Sequence, residues 1–177
     1  MRIVRIALLV AFALALTVTA GPAQAGEHRL GFGFHYWKTL DQLKDQGVSN
    51  ASDIDESGLS ELFSYQYIPR GMLKIEVDIE HFKDGFGGAT EAAYSPQVFL
   101  LVGRGIYAGV GVGATYSKTF DSSWSDPYYA AKAGIEWPLL PRMDLDLNAN
   151  YRFDAWSELE NVDTGTLTFG AVLRIAL

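Results

Sequence analysis

The stretch MDLDLNANYRF, Met143–Phe153, alternates without a break between Met, Leu, Leu, Ala, Tyr and Phe on one parity and Asp, Asp, Asn, Asn and Arg on the other. In an extended chain, side chains two residues apart share a face, so this pattern predicts a β-strand with one apolar and one polar side. Two architectures use such a strand in opposite senses. A soluble barrel turns the apolar face inward, and a membrane barrel turns it outward into lipid. The alternation fits both, and the rest of the chain has to separate them.

The chain opens with MRIVRIALLVAFALALTVTAGPAQA. Arg2 and Arg5 form a positive segment, Ile6 to Leu16 an apolar one, and Ala23-Gln24-Ala25 a small-x-small cleavage site. This is the layout of a secretory signal peptide spanning 1–25. A transmembrane helix is the rival reading, but the apolar run is short of roughly 20 residues and Gly21-Pro22 closes it. Residues 26–177 then suit one domain. With no cysteine, the chain has no disulfide, no thiol nucleophile, no cysteine metal site and no cysteine for lipid attachment. The net charge of −7, without a basic cluster, argues against nucleic acid as a partner.

Eight strand-like runs follow: 29–38, 62–68, 72–82, 92–102, 106–117, 128–137, 143–153 and 166–177. The connections between them run long, short, long, short, long, short, long. The short ones are Pro69-Arg70-Gly71, Gly103-Arg104-Gly105 and Pro138-Leu139-Leu140-Pro141-Arg142, whose Pro and Gly suit hairpin turns. An up-and-down barrel with three tight turns at one end and long loops at the other has this rhythm, and outer-membrane barrels are sorted in that way. The fold class predicted is all-β, an eight-stranded antiparallel up-and-down transmembrane β-barrel.

The faces agree. In the third run Leu73, Ile75, Val77 and Ile79 oppose Lys74, Glu76, Asp78 and Glu80. In the sixth, Tyr129, Ala131, Ala133, Ile135 and Trp137 oppose Lys132, Gly134 and Glu136; in the eighth, Leu167, Phe169, Ala171, Leu173, Ile175 and Leu177 oppose a face that includes Arg174. Turning the charged faces to lipid would cost roughly 2–4 kcal/mol for each Lys or Arg near the midplane. Tyr36, Tyr65, Tyr67, Tyr94, Tyr116, Tyr129, Trp137, Tyr151 and Phe153 fall toward run ends on or near the apolar face, as interfacial belts require. Leu145, Leu147, Ala149, Tyr151 and Phe153 are therefore expected to face lipid, and Asp144, Asp146, Asn148, Asn150 and Arg152 the lumen. The fourth run fits least well: Pro96 lies inside it and predicts a bulge, and apolar residues occupy both parities from Val98 to Val102.

The stretch Thr168-Phe169-Gly170-Ala171-Val172-Leu173-Arg174-Ile175, in a last run that ends with the chain, is similar to the C-terminal assembly signal of outer-membrane barrels. Together with the signal peptide and loop rhythm, it makes the chain resemble the OmpA/OmpX-type small outer-membrane β-barrels. Such proteins usually finish on Phe or Trp, whereas this chain finishes on Leu177. The resemblance implies export to the bacterial outer membrane, periplasmic chaperones and the barrel-assembly machinery as partners, contact with outer-membrane lipid and lipopolysaccharide, and a monomer.

An eight-stranded barrel is only wide enough for its own side chains to fill. The lumen is expected to hold Glu76, Asp78, Glu80, Glu136, Asp144 and Asp146 against Lys74, Lys132, Arg152 and Arg174, with His35 and Trp37 on the same face. Such a network is either a polar plug or, as the rival reading, an ion or proton path. Gly109, Gly111 and Gly113 on the inward parity make room for long charged side chains opposite, and no phosphate-loop pattern accompanies them. No cofactor or metal is expected. Lipid A deacylase barrels resemble the chain in size and carry a His with a nearby Ser, but there is no His-x-Ser here and only His28, His35 and His81 are available. Asp53-Ile54-Asp55-Glu56-Ser57-Gly58 begins like a calcium loop, yet Ser64 stands where the bidentate Glu belongs, so it is read as a solvated acidic loop. Trp124 and Trp156 accompany two other loops, as boundary markers or partner anchors. The expected function is non-catalytic, in envelope integrity or surface interaction; a narrow channel is the alternative, and a lipid A-modifying enzyme a further one.

Overall fold

The fold is described by a computed structural model for residues 26–40, 57–69, 71–83, 91–118, 124–153 and 165–177. The predicted signal peptide, the acidic stretch Asp53 to Glu56 and Trp156 lie outside these residues. The strands are β1 (Glu27–Leu40), β2 (Ser57–Ile68), β3 (Leu73–Phe82), β4 (Ala93–Arg104), β5 (Ile106–Gly113), β6 (Tyr116–Ser117), β7 (Tyr128–Leu140), β8 (Met143–Phe153) and β9 (Gly165–Ala176). All pairings are antiparallel, and each strand of the wall pairs with its neighbours in sequence. Pairing of β1 with β9, from Arg29↔Ala176 to Leu40↔Gly165, closes the sheet. β5 and the two-residue β6 share one register against β4, so the barrel has eight walls. At about 3.3 Å per residue, ten to fourteen tilted residues cross a hydrocarbon layer.

The direction of the side chains answers the question raised by the alternating stretch. Leu30, Phe32, Phe34 and Tyr36 of β1, Leu100 and Val102 of β4, Ile135 and Trp137 of β7, Leu147 of β8 and Phe169, Leu173 and Ile175 of β9 are all exposed. Meanwhile Lys74, Glu76, Asp78, Glu80, Lys132, Asp146 and Arg174 are buried. A water-soluble protein rarely shows so large an apolar patch. This inside-out arrangement is that of a transmembrane β-barrel, with apolar side chains toward lipid and charge in the lumen.

Several expectations change. Pro96 causes no bulge: it pairs with Ile79 in unbroken register. Its carbonyl accepts a hydrogen bond from Ala114 N at 3.3 Å, so its missing N–H would have pointed to the same neighbour. The lost ladder bond falls opposite Ala114 and Thr115, where β5 gives way to β6. Among the described residues the one register shift lies between Pro138 and Leu140, and β7 continues through that stretch, leaving only Pro141-Arg142 as the turn. Ser57 and Gly58, read as loop, belong to β2 and pair with Lys38 and Trp37. Phe153 has the lipid-facing parity but is 2% exposed, with the rings of Tyr129 and Tyr151 stacked against it at 5.9 and 5.7 Å.

Candidate functional site

Strand β3 organises the lumen. Its inward residues Lys74, Glu76, Asp78 and Glu80 follow one another about 6.6 Å apart along the strand and reach three levels of the barrel, Glu76 and Asp78 sharing the middle one.

The middle level is the most densely connected. Glu76 Oε1 is 2.5 Å from Lys132 Nζ, and its Oε2 is 2.9 Å from Arg174 Nη2 and accepts from Gln66 Nε2 at 2.8 Å. Lys132 Nζ also donates to Asp78 Oδ2 at 2.7 Å. Arg174 Nε donates to Asp146 Oδ2 at 2.6 Å and its Nη1 to Ser64 Oγ at 2.7 Å, while the Tyr107 hydroxyl donates to Asp146 at 2.8 Å. Toward the long loops, Glu80 pairs with Arg152, accepts from Ser60 Oγ at 2.5 Å and lies 3.2 Å from His35 Nδ1. Toward the short turns, Lys74 Nζ is 2.6 Å from Glu136, and Arg29 reaches Glu136 at 3.4 Å and Asp144 at 3.0 Å.

All ten predicted lumen residues thus have an oppositely charged neighbour, though Glu136 and Asp144 border the mouth rather than the sealed interior. Arg29 was missed. Its parity with Gly31, Gly33 and His35 could have found it, since those neighbours are buried. Also missed was an apolar side of the lumen: Phe99, Leu101, Tyr107, Tyr128 and Ala130 cluster on β4, β5 and β7. Apolar residues on both parities of β4 were the available signal.

Gly109, Gly111 and Gly113 make room chiefly for these rings and for neighbouring backbone, rather than for charged chains. A Cβ at Gly111 would lie 2.5 Å from Phe99, one at Gly113 2.6 Å from the Tyr128 hydroxyl, and one at Gly109 2.0 Å from the Leu100 carbonyl. The cations then cap the rings. Lys74 Nζ lies 4.7 Å from the Tyr107 centroid, Lys132 Nζ 4.9 Å from Phe99, and the Arg152 guanidinium 5.1 Å from Phe82 and 5.2 Å from Tyr128. The side chains of Glu76, Lys132 and Arg174 are 0% exposed.

The Ser60–Glu80–His35 group is the nearest approach to a nucleophilic arrangement. In a catalytic triad the imidazole stands between hydroxyl and carboxylate. Here the carboxylate stands between, so the Ser60 hydroxyl donates to Glu80 and not to the His35 imidazole. His28 and His81 serve the outer surface: His28 Nδ1 is 2.6 Å from the Tyr65 hydroxyl, and His81 pairs with Glu61 at 3.2 Å and stacks on Tyr94. Trp124 packs edge-on to Tyr116 at 5.3 Å and is 41% exposed. Among the described residues no group of three or more His, Asp or Glu is arranged to hold a metal ion.

A closed eight-stranded barrel with an apolar belt and a charged, filled interior defines the class of small transmembrane β-barrels. Solved structures agree. Neisserial surface protein A is 16% identical with a TM-score of 0.57, over 84% of this chain and 96% of that one. A de novo designed transmembrane β-barrel is 12% identical with a TM-score of 0.50, over 88% and 98%. The N-terminal β-barrel domain of Pseudomonas aeruginosa OprF is 8% identical with a TM-score of 0.50, over 86% and 100%. The fold is that of the OmpA/OmpX-type small outer-membrane barrels. No protein-family model matches the chain, and no curated protein matches it in sequence. A designed barrel among the matches illustrates why this likeness speaks of fold and not of activity.

Proposed function

We propose that the protein is a closed, monomeric barrel of the bacterial outer membrane with a non-catalytic role, in envelope integrity or in surface interaction through its long external connections. One observation carries this reading: the lumen is filled at every level by paired charges and the aromatic rings they cap. Charged groups inaccessible to water leave no solvent path past them, and burying an ion pair this well connected favours a fixed plug over a pore. Export by a cleaved signal peptide, escort by periplasmic chaperones, insertion by the barrel-assembly machinery and contact with lipopolysaccharide belong to the same proposal.

Planar-bilayer recording of the refolded protein tests it. Electrical silence is expected, and a steady conductance would replace the plug with a narrow channel. That second reading has its own support in the ionisable groups present at each level of the lumen from Arg29 to Glu80. Release of acyl chains from purified lipid A by the refolded protein would overturn the non-catalytic reading.

A further inference from the structure

Each short turn carries one arginine: Pro69-Arg70-Gly71, Gly103-Arg104-Gly105 and Pro141-Arg142-Met143. Arg70 lies outside the described residues; Arg104 and Arg142 are exposed. Arginine placement elsewhere makes these two distinctive. Arg29, Arg152 and Arg174 all engage carboxylates of the lumen or its mouth. Arg104 and Arg142 have no ion-pair partner among the described residues.

The backbone supplies an independent observation. Gly71 and Gly105 take φ of 65° and 74° in their turns, the left-handed region that glycine enters freely. In the third turn the residue with φ of 67° is Arg142, the only non-glycine at positive φ among the described residues. A side chain there is disfavoured relative to glycine, so the guanidinium is kept at a local cost. Both arginines also adjoin the edge of the apolar belt. Ile106 follows the Arg104 turn with 73% exposure, and Trp137 and Leu140 precede the Arg142 turn with 66% and 62%.

We propose that the short-turn rim is a docking surface for anionic glycerophospholipid headgroups in the leaflet it faces, with Arg104 and Arg142 engaging their phosphodiester oxygens. A guanidinium at the edge of an apolar belt reaches headgroup level, where its planar donors match phosphate oxygens two at a time. Carboxylates that could compete, Glu27, Glu136 and Asp144, already face Arg29 or Lys74 at the mouth. The inference rests on the barrel spanning a bilayer.

Spin-labelled phosphatidylglycerol and phosphatidylcholine, each added to bilayers holding the refolded full chain, test it by electron spin resonance. The motionally restricted fraction should favour phosphatidylglycerol about fivefold at low salt, with the preference shrinking as salt screens it. In R104Q/R142G it should fall toward one, with heat-modifiable gel mobility confirming that the barrel has formed. R104Q alone sits in a turn whose glycines supply the positive φ, so it keeps the test sound if the double variant does not fold; part of the preference should be lost. Equal restriction of both labels by the unaltered protein, or a preference unchanged in the variants, overturns the proposal. Retention on purified peptidoglycan without lipid preference also overturns it, assigning the rim to the cell wall. Absence of any restricted component for either label would instead refute the membrane barrel itself.

Discussion

Lys132 on β7 and Glu76 on β3 are 56 positions apart in the chain, yet Lys132 Nζ and Glu76 Oε1 meet across the lumen at 2.5 Å. β4 and β5 separate their strands in the wall, so the contact spans the interior rather than following the sheet. It exists only when the barrel has closed.

Lys132 neutralises both Glu76 and Asp78. K132M keeps the stem that packs by Phe99 but leaves two carboxylates short of a cation, and a loss of about 3–5 kcal/mol is expected. Urea unfolding midpoints of the refolded barrel measure it. The triple change E76Q/D78N/K132M should recover part of that loss, because the uncompensated charge goes with the lysine.

The lipid face should respond according to depth. Leu147, half-exposed near the middle of β8, should tolerate arginine badly: L147R is expected to cost about 2–4 kcal/mol, whereas L139R beside the short turn should cost about 0–1. The refolding yield in vesicles against denaturant reports both. Equal costs at the two sites would mean that the apolar belt does not follow the strands as described.

Gly109 lies where β4 and β5 approach closely, and a Cβ there would meet the Leu100 carbonyl at 2.0 Å and Leu101 Cα at 2.7 Å. Backbone cannot yield as a flexible side chain does. G109A is expected to lose about 1–3 kcal/mol by overpacking, read again from urea midpoints.

Arg142 predicts a gain. R142G releases the left-handed strain and should raise stability by about 1 kcal/mol, provided the turn keeps its hydrogen bond from Ala176 N to the Arg142 carbonyl at 2.9 Å. A stability gain accompanied by lost lipid preference would separate the two roles of this position.

Much of this was legible from alternation. The parity of Leu73 to Glu80 places four charged residues in the lumen and four apolar ones outside, because successive side chains of a strand cannot share a face. Turn chemistry placed all three hairpins but drew the third too long, because Pro138 can occupy a strand where a register shift spares it a ladder bond. The lumen was harder to read. Arg29 looked like the edge of a run, and Phe99 and Leu101 stood in a stretch apolar on both parities; all three belong inside.

By itself, then, the sequence determined the strand periodicity, the two faces, the rhythm of turns and loops and the sign of each lumen charge, since these depend on local spacing and residue type. Only the tertiary structure decided which charges meet, which rings the lysines and arginines cap, why three glycines line β5, and that the Ser60 hydroxyl donates its hydrogen bond to Glu80. Some of those contacts join neighbouring strands and others cross the lumen, and their partners are set by strand register and barrel closure, which no local pattern encodes.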